Sequence, residues 1–311
     1  MKTDWFYRSK FGLFVHWTTF TLYKDDKEVM SADFNKRLSL YKEAVDNFPV
    51  KEFARQINSF GARFVIFVTS HADMVLPFPL KELDEIIPNC TSKRDLVREL
   101  IDELKKYNIK LILYFNGDGF NNPEWQKVSM WYEDPKQHAE YCYKITKAIS
   151  DRYKDDIAGW WIDGCYLIDY NNRCGERYDF KKYKECLTSG NKDAIVAFNI
   201  NGAEPWTFKL ENISDYQAGE LYCLDDRLPN GRFSGEGGSQ WFSCCLMDDL
   251  WVHDKPGEIK SKYDDKEVIE YLRKVFDNGG VFAYNCALYK DGSFPDCEIK
   301  QLNNIKKEFL L

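Results

Sequence analysis

The chain has 311 residues, 44% of them apolar and 30% charged, which is an ordinary globular composition and enough length for a full core in one domain. A net charge of -7 excludes the basic footprint of a nucleic-acid binder and the basic face of a membrane-surface protein, and no apolar run is long enough to span a bilayer. The load of 22 Phe, 19 Tyr and 9 Trp is more than a core of this size needs and leans toward a ligand with apolar faces to stack on, such as a sugar.

The first apolar run, residues 10–17, reads as a strand that ends in His16 and Trp17. Residues 21–47 are charged and lack a clean period, as expected of a long active-site loop. A helix with proline at its start covers 49–57. The second strand, 62–69, is dense in β-formers and runs into Ser70-His71-Ala72-Asp73. An amphipathic helix over 92–106 starts at a Ser92 cap. Strand three, 110–116, carries Tyr114; a loop through Gly117, Gly119 and Pro123 follows, then a helix over about 135–152. Strand four, 157–163, is an apolar run that ends on Asp163 and is followed by Gly164. Further strands are read at 194–199, at 213–219 ending on Glu220, at 240–246 and at 281–285. Helices cover 265–276, closed by Asn278-Gly279-Gly280, and 297–311. Eight short strands with helices between most of them imply an α/β fold, a (β/α)₈ TIM barrel, irregular in places. Residues 1–311 are expected to form a single catalytic domain with no C-terminal β-sandwich.

None of the ten cysteines forms a CxxC pair, so a zinc knuckle is not expected. Their placement in apolar runs suits buried free thiols and a reducing compartment. MKTDWFYRSK at the N-terminus has no apolar segment of a leader. The sequence as it stands is expected in the cytoplasm, or in the periplasm or outside the cell if a signal peptide has been removed.

Candidate chemistry gathers at the strand tips, which form the floor of a barrel's active site. A carboxylate at the end of a buried strand is costly unless it is paired or employed. Strand alternation puts Gly159, Trp161 and Asp163 on one face, so an acid and an indole share the rim. Two of the four histidines, His16 and His71, also end strands, and their imidazoles can both donate to and accept from hydroxyls. Asp73 can orient His71 or bind a hydroxyl itself. His16, His71, Asp73 and Asp163 could form a mixed N/O metal site, but nothing in their spacing demands one, and no metal or other cofactor is expected. Glycoside hydrolysis needs a second carboxylate; Glu204, Asp215, Glu220 and Glu236 are the acidic candidates after Asp163.

The motifs resemble glycoside hydrolase family 29, the α-L-fucosidases. Lys10-Phe-Gly-Leu-Phe-Val-His16-Trp17 is similar to that family's KFGLFIHWG, Gly61-Ala62-Arg-Phe-Val to its AGAKYV strand, and Ser70-His71-Ala72-Asp73 falls where the family has KHHDG. Ser92-Lys-Arg-Asp95-Leu-Val resembles its RDLV, and Trp161-Ile-Asp163-Gly164 its WFDG. The tail from Asn278 to Asn285, with Asp291-Gly292, is similar to GGNLLLNIGP…DG. The resemblance implies a retaining hydrolase in which Asp163 is the nucleophile and His16 and His71 hold fucose hydroxyls. Trp17, Asp73, Tyr114 and Trp161 are expected beside them as substrate-binding residues. Glu220 is expected as acid/base, with Glu236 second. The sequence departs from the family at Ala72, in place of the motif's second histidine, at Thr18, in place of a glycine, and in a first loop without the usual Glu-Trp. These positions shape the sugar pocket, so a glycosidase of altered sugar specificity is one alternative and a non-catalytic carbohydrate-binding protein another. The expected partner is an oligosaccharide or glycoconjugate, not a nucleic acid or a membrane.

Overall fold

The computed structural model describes residues 1–24, 33–166, 177–200, 213–225, 227–234 and 238–309. Glu204 and Glu236 lie outside the described residues. The strands are β1 (Phe11–Val15), β2 (Phe64–Ser70), β3 (Lys110–Asn116), β4 (Gly159–Asp163), β5 (Ile195–Phe198), β6 (Glu220–Leu221), β7 (Phe242–Leu246) and β8 (Val281–Cys286). They form one eight-stranded sheet in the order β5-β4-β3-β2-β1-β8-β7-β6. All of the described pairings are parallel, and the sheet curls into the (β/α)₈ barrel read from the sequence.

Both faces of such a sheet are covered, so its strands are apolar throughout rather than alternating. All seven residues of β2 are buried. Phe14, Tyr114 and Trp161 point into the barrel interior, whereas Leu13, Val15, Trp160 and Ile162 pack against the helix layer. Phe6, on the short helix Asp4–Ser9, plugs the bottom of the barrel against Phe64, Tyr216 and Phe242. Outside, the helix Leu96–Lys105 buries Leu96, Val97, Leu100, Ile101 and Leu104, each worth about 1.5–3 kcal/mol when fully removed from water.

The structure corrects three expectations. Residues 21–47 are not all loop, because Phe34–Asn47 is a helix capped by Asp33, whose side chain accepts from the Lys36 N–H. Its buried face holds Arg37 among Leu38, Tyr41, Ala44 and Val45, and the charge inside that stripe hides the period. The next crossover helix starts at Leu96 rather than Ser92: Asp95 is the cap, accepting from Arg98 N–H at 2.9 Å, while Ser92 N–H is taken by Leu76 O at 3.0 Å. Strand six shrinks to Glu220–Leu221, with a single bridge upstream between Tyr216 and Gln240.

Candidate active site

The C-terminal tips of the strands surround a cavity of about 450 Å³. Phe14, Tyr114 and Trp161 form its floor, and Trp161 stacks on Tyr114 at 5.2 Å between ring centroids. A hollow of similar volume, about 480 Å³, opens at the other end of the barrel beside Lys110 and Ala158. Of its three lining aspartates, Asp156 is bound by Arg98 and Lys105, and none of the site residues expected from the sequence lines it, whereas six line the first cavity.

Asp163 is the last residue of β4 and receives four donors. Tyr114 OH donates to Oδ2 at 2.6 Å and Asn116 Nδ2 at 3.5 Å; Tyr166 OH donates to Oδ1 at 2.8 Å and Asn199 Nδ2 at 2.9 Å. The same Asn199 nitrogen donates to Glu220 Oε2 at 2.6 Å. One amide nitrogen thus ties the two carboxyls together, and hydrogen bonds of 2.9 and 2.6 Å to the same atom keep the two accepting oxygens no more than 5.5 Å apart. Burial pushes the Glu220 carboxyl up to about 8, the Asp163 charge pushes in the same direction, and the Asn199 hydrogen bond pulls back.

His16 is buried on the interior face of β1, stacked on Phe14. Its Nδ1 faces Asn285 Oδ1 at 2.7 Å. The Asn285 amide is oriented by donating Nδ2 to the carbonyls of Leu250 and Trp251. Asn285 Oδ1 is therefore the acceptor and His16 Nδ1 carries the hydrogen, which leaves Nε2 as an acceptor at the cavity. Burial and the neighbouring His71 hold His16 down to about 3, so it is neutral. Burial also lowers His71, against the pull of Asp163, Asp73 and Asp254; its ring lies 6.0 Å from Tyr114. Among the described residues no group of three His, Cys, Asp or Glu is arranged to hold a metal ion.

The structure thus brings His16, His71, Tyr114, Trp161, Asp163 and Glu220 to one cavity. It places Trp17 and Asp73 elsewhere. Trp17 is fully buried in the helix layer against Tyr41 and Phe48, its indole donating to Lys290 O at 3.1 Å. Asp73 takes a two-point ion pair from Arg37, with Nε–Oδ2 3.0 Å and Nη2–Oδ1 2.9 Å, and is not among the residues lining the cavity. The sequence reading missed Asn116, Asn199 and Asn285, although each stands at a strand end and strand position alone could have flagged them. It also missed Tyr166, Trp251 and Asp118, which come from loops.

The family model described as Alpha-L-fucosidase matches residues 1–307. The chain belongs to the alpha-L-fucosidase family. Tissue alpha-L-fucosidase of Rattus norvegicus is 24% identical over 93% of this chain and 64% of its own length, so the chain spans under two thirds of that curated family member. Alpha-L-fucosidase isoenzyme 1 from Paenibacillus thiaminolyticus shares the fold with a TM-score of 0.73 and 17% identity, over 99% of this chain and 75% of that one. Alpha-L-fucosidase AlfC from Lactobacillus casei, in complex with alpha-L-fucose product, superposes with a TM-score of 0.68 and 15% identity, over 98% of this chain and 97% of that one. Family and fold therefore agree with the barrel and its rim.

Proposed function

We propose that the chain is a retaining α-L-fucosidase in which Asp163 is the nucleophile and Glu220 the acid/base. The observation that carries this reading is the Asn199 nitrogen shared by Asp163 and Glu220 in one cavity, together with the upward shift of Glu220. A carboxyl held protonated by burial beside a second carboxyl can divide the labour of acid and nucleophile with it. Asp163 attacks the anomeric carbon while Glu220 gives its proton to the departing glycosidic oxygen. Glu220, now ionised, takes a proton from water as the water oxygen bonds to the anomeric carbon and the bond from that carbon to Asp163 breaks, which releases the sugar and restores the Asp163 carboxylate and the protonated Glu220. Fucose as the sugar comes from family membership. His16 Nε2 and His71 would meet its hydroxyls, and Trp161 and Tyr114 its apolar face.

A specific observation supports altered specificity on the same scaffold. Ala72 is buried, and Asn121 N–H donates to its carbonyl at 2.8 Å, so the loop after β3 covers the position where the resembled motif carries its second histidine. A panel of 4-nitrophenyl glycosides, with product configuration followed by NMR, tests both readings. Turnover of the α-L-fucoside with retention supports the first. Turnover of a different glycoside replaces fucose, and inversion removes Asp163 as nucleophile. A panel with no turnover, although the folded protein binds fucose, favours a carbohydrate-binding protein.

A further inference from the structure

Asp118 lies on the loop after β3 and lines the same cavity. Its Oδ1 is anchored twice, by Trp131 Nε1 at 3.0 Å and by Arg177 Nη1 at 2.9 Å. The Arg177 guanidinium is itself held over the Trp131 ring at 4.8 Å. Asp118 N–H donates to Asn116 Oδ1 at 2.8 Å, and Asn116 is the residue whose amide reaches Asp163. Gly164, directly after the nucleophile, has φ +69, and a Cβ there would come within 2.6 Å of Asp118 Oδ2. That oxygen therefore sits against the backbone of the residue after Asp163, and it has no hydrogen-bond partner among the described residues.

A carboxylate costs free energy when taken out of water without partners. Here one oxygen is fixed by a buried arginine and an indole, and the other has no hydrogen-bond partner among the described residues, on a side chain that lines the cavity. An ionised carboxylate can only accept hydrogen bonds, so the group this oxygen suits is a hydroxyl or an ammonium. The other described carboxyls on the cavity wall are Asp163, Glu220, Asp249 and Asp254, and Lys255 is the only Lys or Arg among its described lining residues. An anionic substituent on the sugar would meet like charge on most sides.

We propose that Asp118 Oδ2 accepts a hydroxyl hydrogen of the sugar bound at Asp163, which makes Asp118 a specificity-determining residue of a site for uncharged sugars, and that a sulfate ester at that hydroxyl is rejected. The proposal rests on the glycosidase reading above and adds a contact that reading does not contain. Proximity supports it: a pyranose ring with its anomeric carbon at Asp163 carries its hydroxyls to neighbouring walls, and Asp118 Oδ2 borders Gly164. Burial lifts the Asp118 carboxyl to about 6, against the pull of Arg177 and Trp131, so it is an ionised acceptor at pH 7 and loses that role as the pH falls below 6.

The test pairs deletions on both sides of the contact. Wild type and Asp118→Ala are assayed with 4-nitrophenyl α-L-fucoside, its three monodeoxy analogues and its monosulfates. Asp118→Ala should lose about 10- to 100-fold in kcat/KM on the parent substrate, the effect of one hydrogen bond to a charged group. One deoxy analogue should lose a similar factor on wild type and almost nothing further on the variant, whereas the other two should show independent losses. The sulfate at the matching position should be rejected by wild type and gain relative to the parent substrate in Asp118→Asn. A merely structural Asp118 would lower all substrates by one common factor, and that result, or an unchanged parent rate, overturns the proposal. Calorimetric binding of fucose and its deoxy forms separates the two readings. Selective coupling in binding without turnover sinks the hydrolase reading alone. Turnover without coupling sinks the Asp118 contact alone, and absence of both binding and turnover sinks both.

Discussion

Replacing Asn199 by leucine tests whether one amide sets the chemistry of both carboxyls. The side chain is fully buried, and leucine nearly keeps its shape, so water stays out while both donated hydrogen bonds are lost. A hydrogen bond to a charged acceptor contributes about 1.5–3 kcal/mol, and one pKa unit corresponds to about 1.4 kcal/mol. Asn199 is the one group that pulls Glu220 downward. Its removal should therefore raise the Glu220 pKa by roughly one to two units. An acid must be protonated to act, so wild-type kcat/KM should fall as the pH rises through about 8. In Asn199→Leu that alkaline limb should move to higher pH, by roughly one unit or more. The plateau should drop by about 10- to 100-fold, because Asp163 also loses a donor as charge redistributes. The assay is the pH profile of kcat/KM, which reports the free enzyme, with a melting curve to confirm folding. A wild-type limb at an ordinary carboxylate value, or a limb that stays in place in the variant, refutes the reasoning.

His16→Phe keeps a ring in the stack on Phe14 but removes both the Nε2 acceptor and the Nδ1 donor to Asn285; kcat/KM should fall by about 10- to 100-fold, with a stability loss of about 1–3 kcal/mol from the unpaired Asn285 oxygen, and the same stability loss at unchanged kcat/KM would make His16 structural. Asp73→Ala should act the other way: it strips the carboxylate from a guanidinium whose side chain is 10% exposed, a change that costs about 3–5 kcal/mol, seen in denaturant unfolding at nearly parental kcat/KM. Glu298→Gln should flatten the pH dependence of stability. Burial and Asp248 raise the Glu298 carboxyl well above 4.5, so its stabilising share is complete below about 4.5 and is lost as the pH climbs, when the unfolded chain ionises and the fold cannot. Urea unfolding between pH 5 and 8 should show wild type losing stability faster than the variant; parallel curves would contradict this.

The barrel was legible because strands covered on both faces are written as unbroken apolar runs, of which residues 64–70 are the plainest. The position of Asp163 was legible for the same reason, as an acid that ends such a run. Trp17 was placed wrongly by adjacency. It follows His16 directly, and neighbouring residues of an extended chain face opposite ways, so a histidine turned into the barrel puts the tryptophan among the helices. Asp73 failed for another reason. The register between β2 and β3 shifts between Val68 and Ser70, and the chain has left the strand by Asp73, so alternation no longer predicts its direction. Its partner Arg37 is 36 residues away, in a segment whose helical period that same arginine obscures. The amides at 116, 199 and 285 carry no charge and match no motif, yet they hydrogen-bond to Asp163, Glu220 and His16.

Glu220 also shows how an irregular barrel positions a side chain at its cavity. Among the described residues no ladder joins β5 to β6, and β6 is only two residues long. The seam is closed instead by side chains and single bonds. Asp215 N–H donates to Val196 O at 2.8 Å, and Asp215 Oδ2 accepts from Val196 N–H at 3.0 Å, so a carboxylate takes the place of a strand neighbour's carbonyl. Its Oδ1 is held by Lys184 Nζ at 2.9 Å. Tyr216 OH donates to Trp160 O, and Trp161 Nε1 donates to Ala218 O, both at 2.9 Å. Gly219, at φ +62, passes so close to β7 that a Cβ would lie 2.1 Å from Phe242 O. These contacts fall on residues 215–219, the segment that leads into Glu220. Asp215 was a candidate acid by sequence, and its charge is engaged in this joint. Asp215→Asn keeps the shape but swaps an acceptor for a donor on one side. If the seam positions Glu220, kcat should fall more for a poor leaving group than for an activated one, the pattern of impaired general acid catalysis, while binding of fucose stays near parental. An equal loss on both substrates would show that the seam serves stability and leaves the acid where it was.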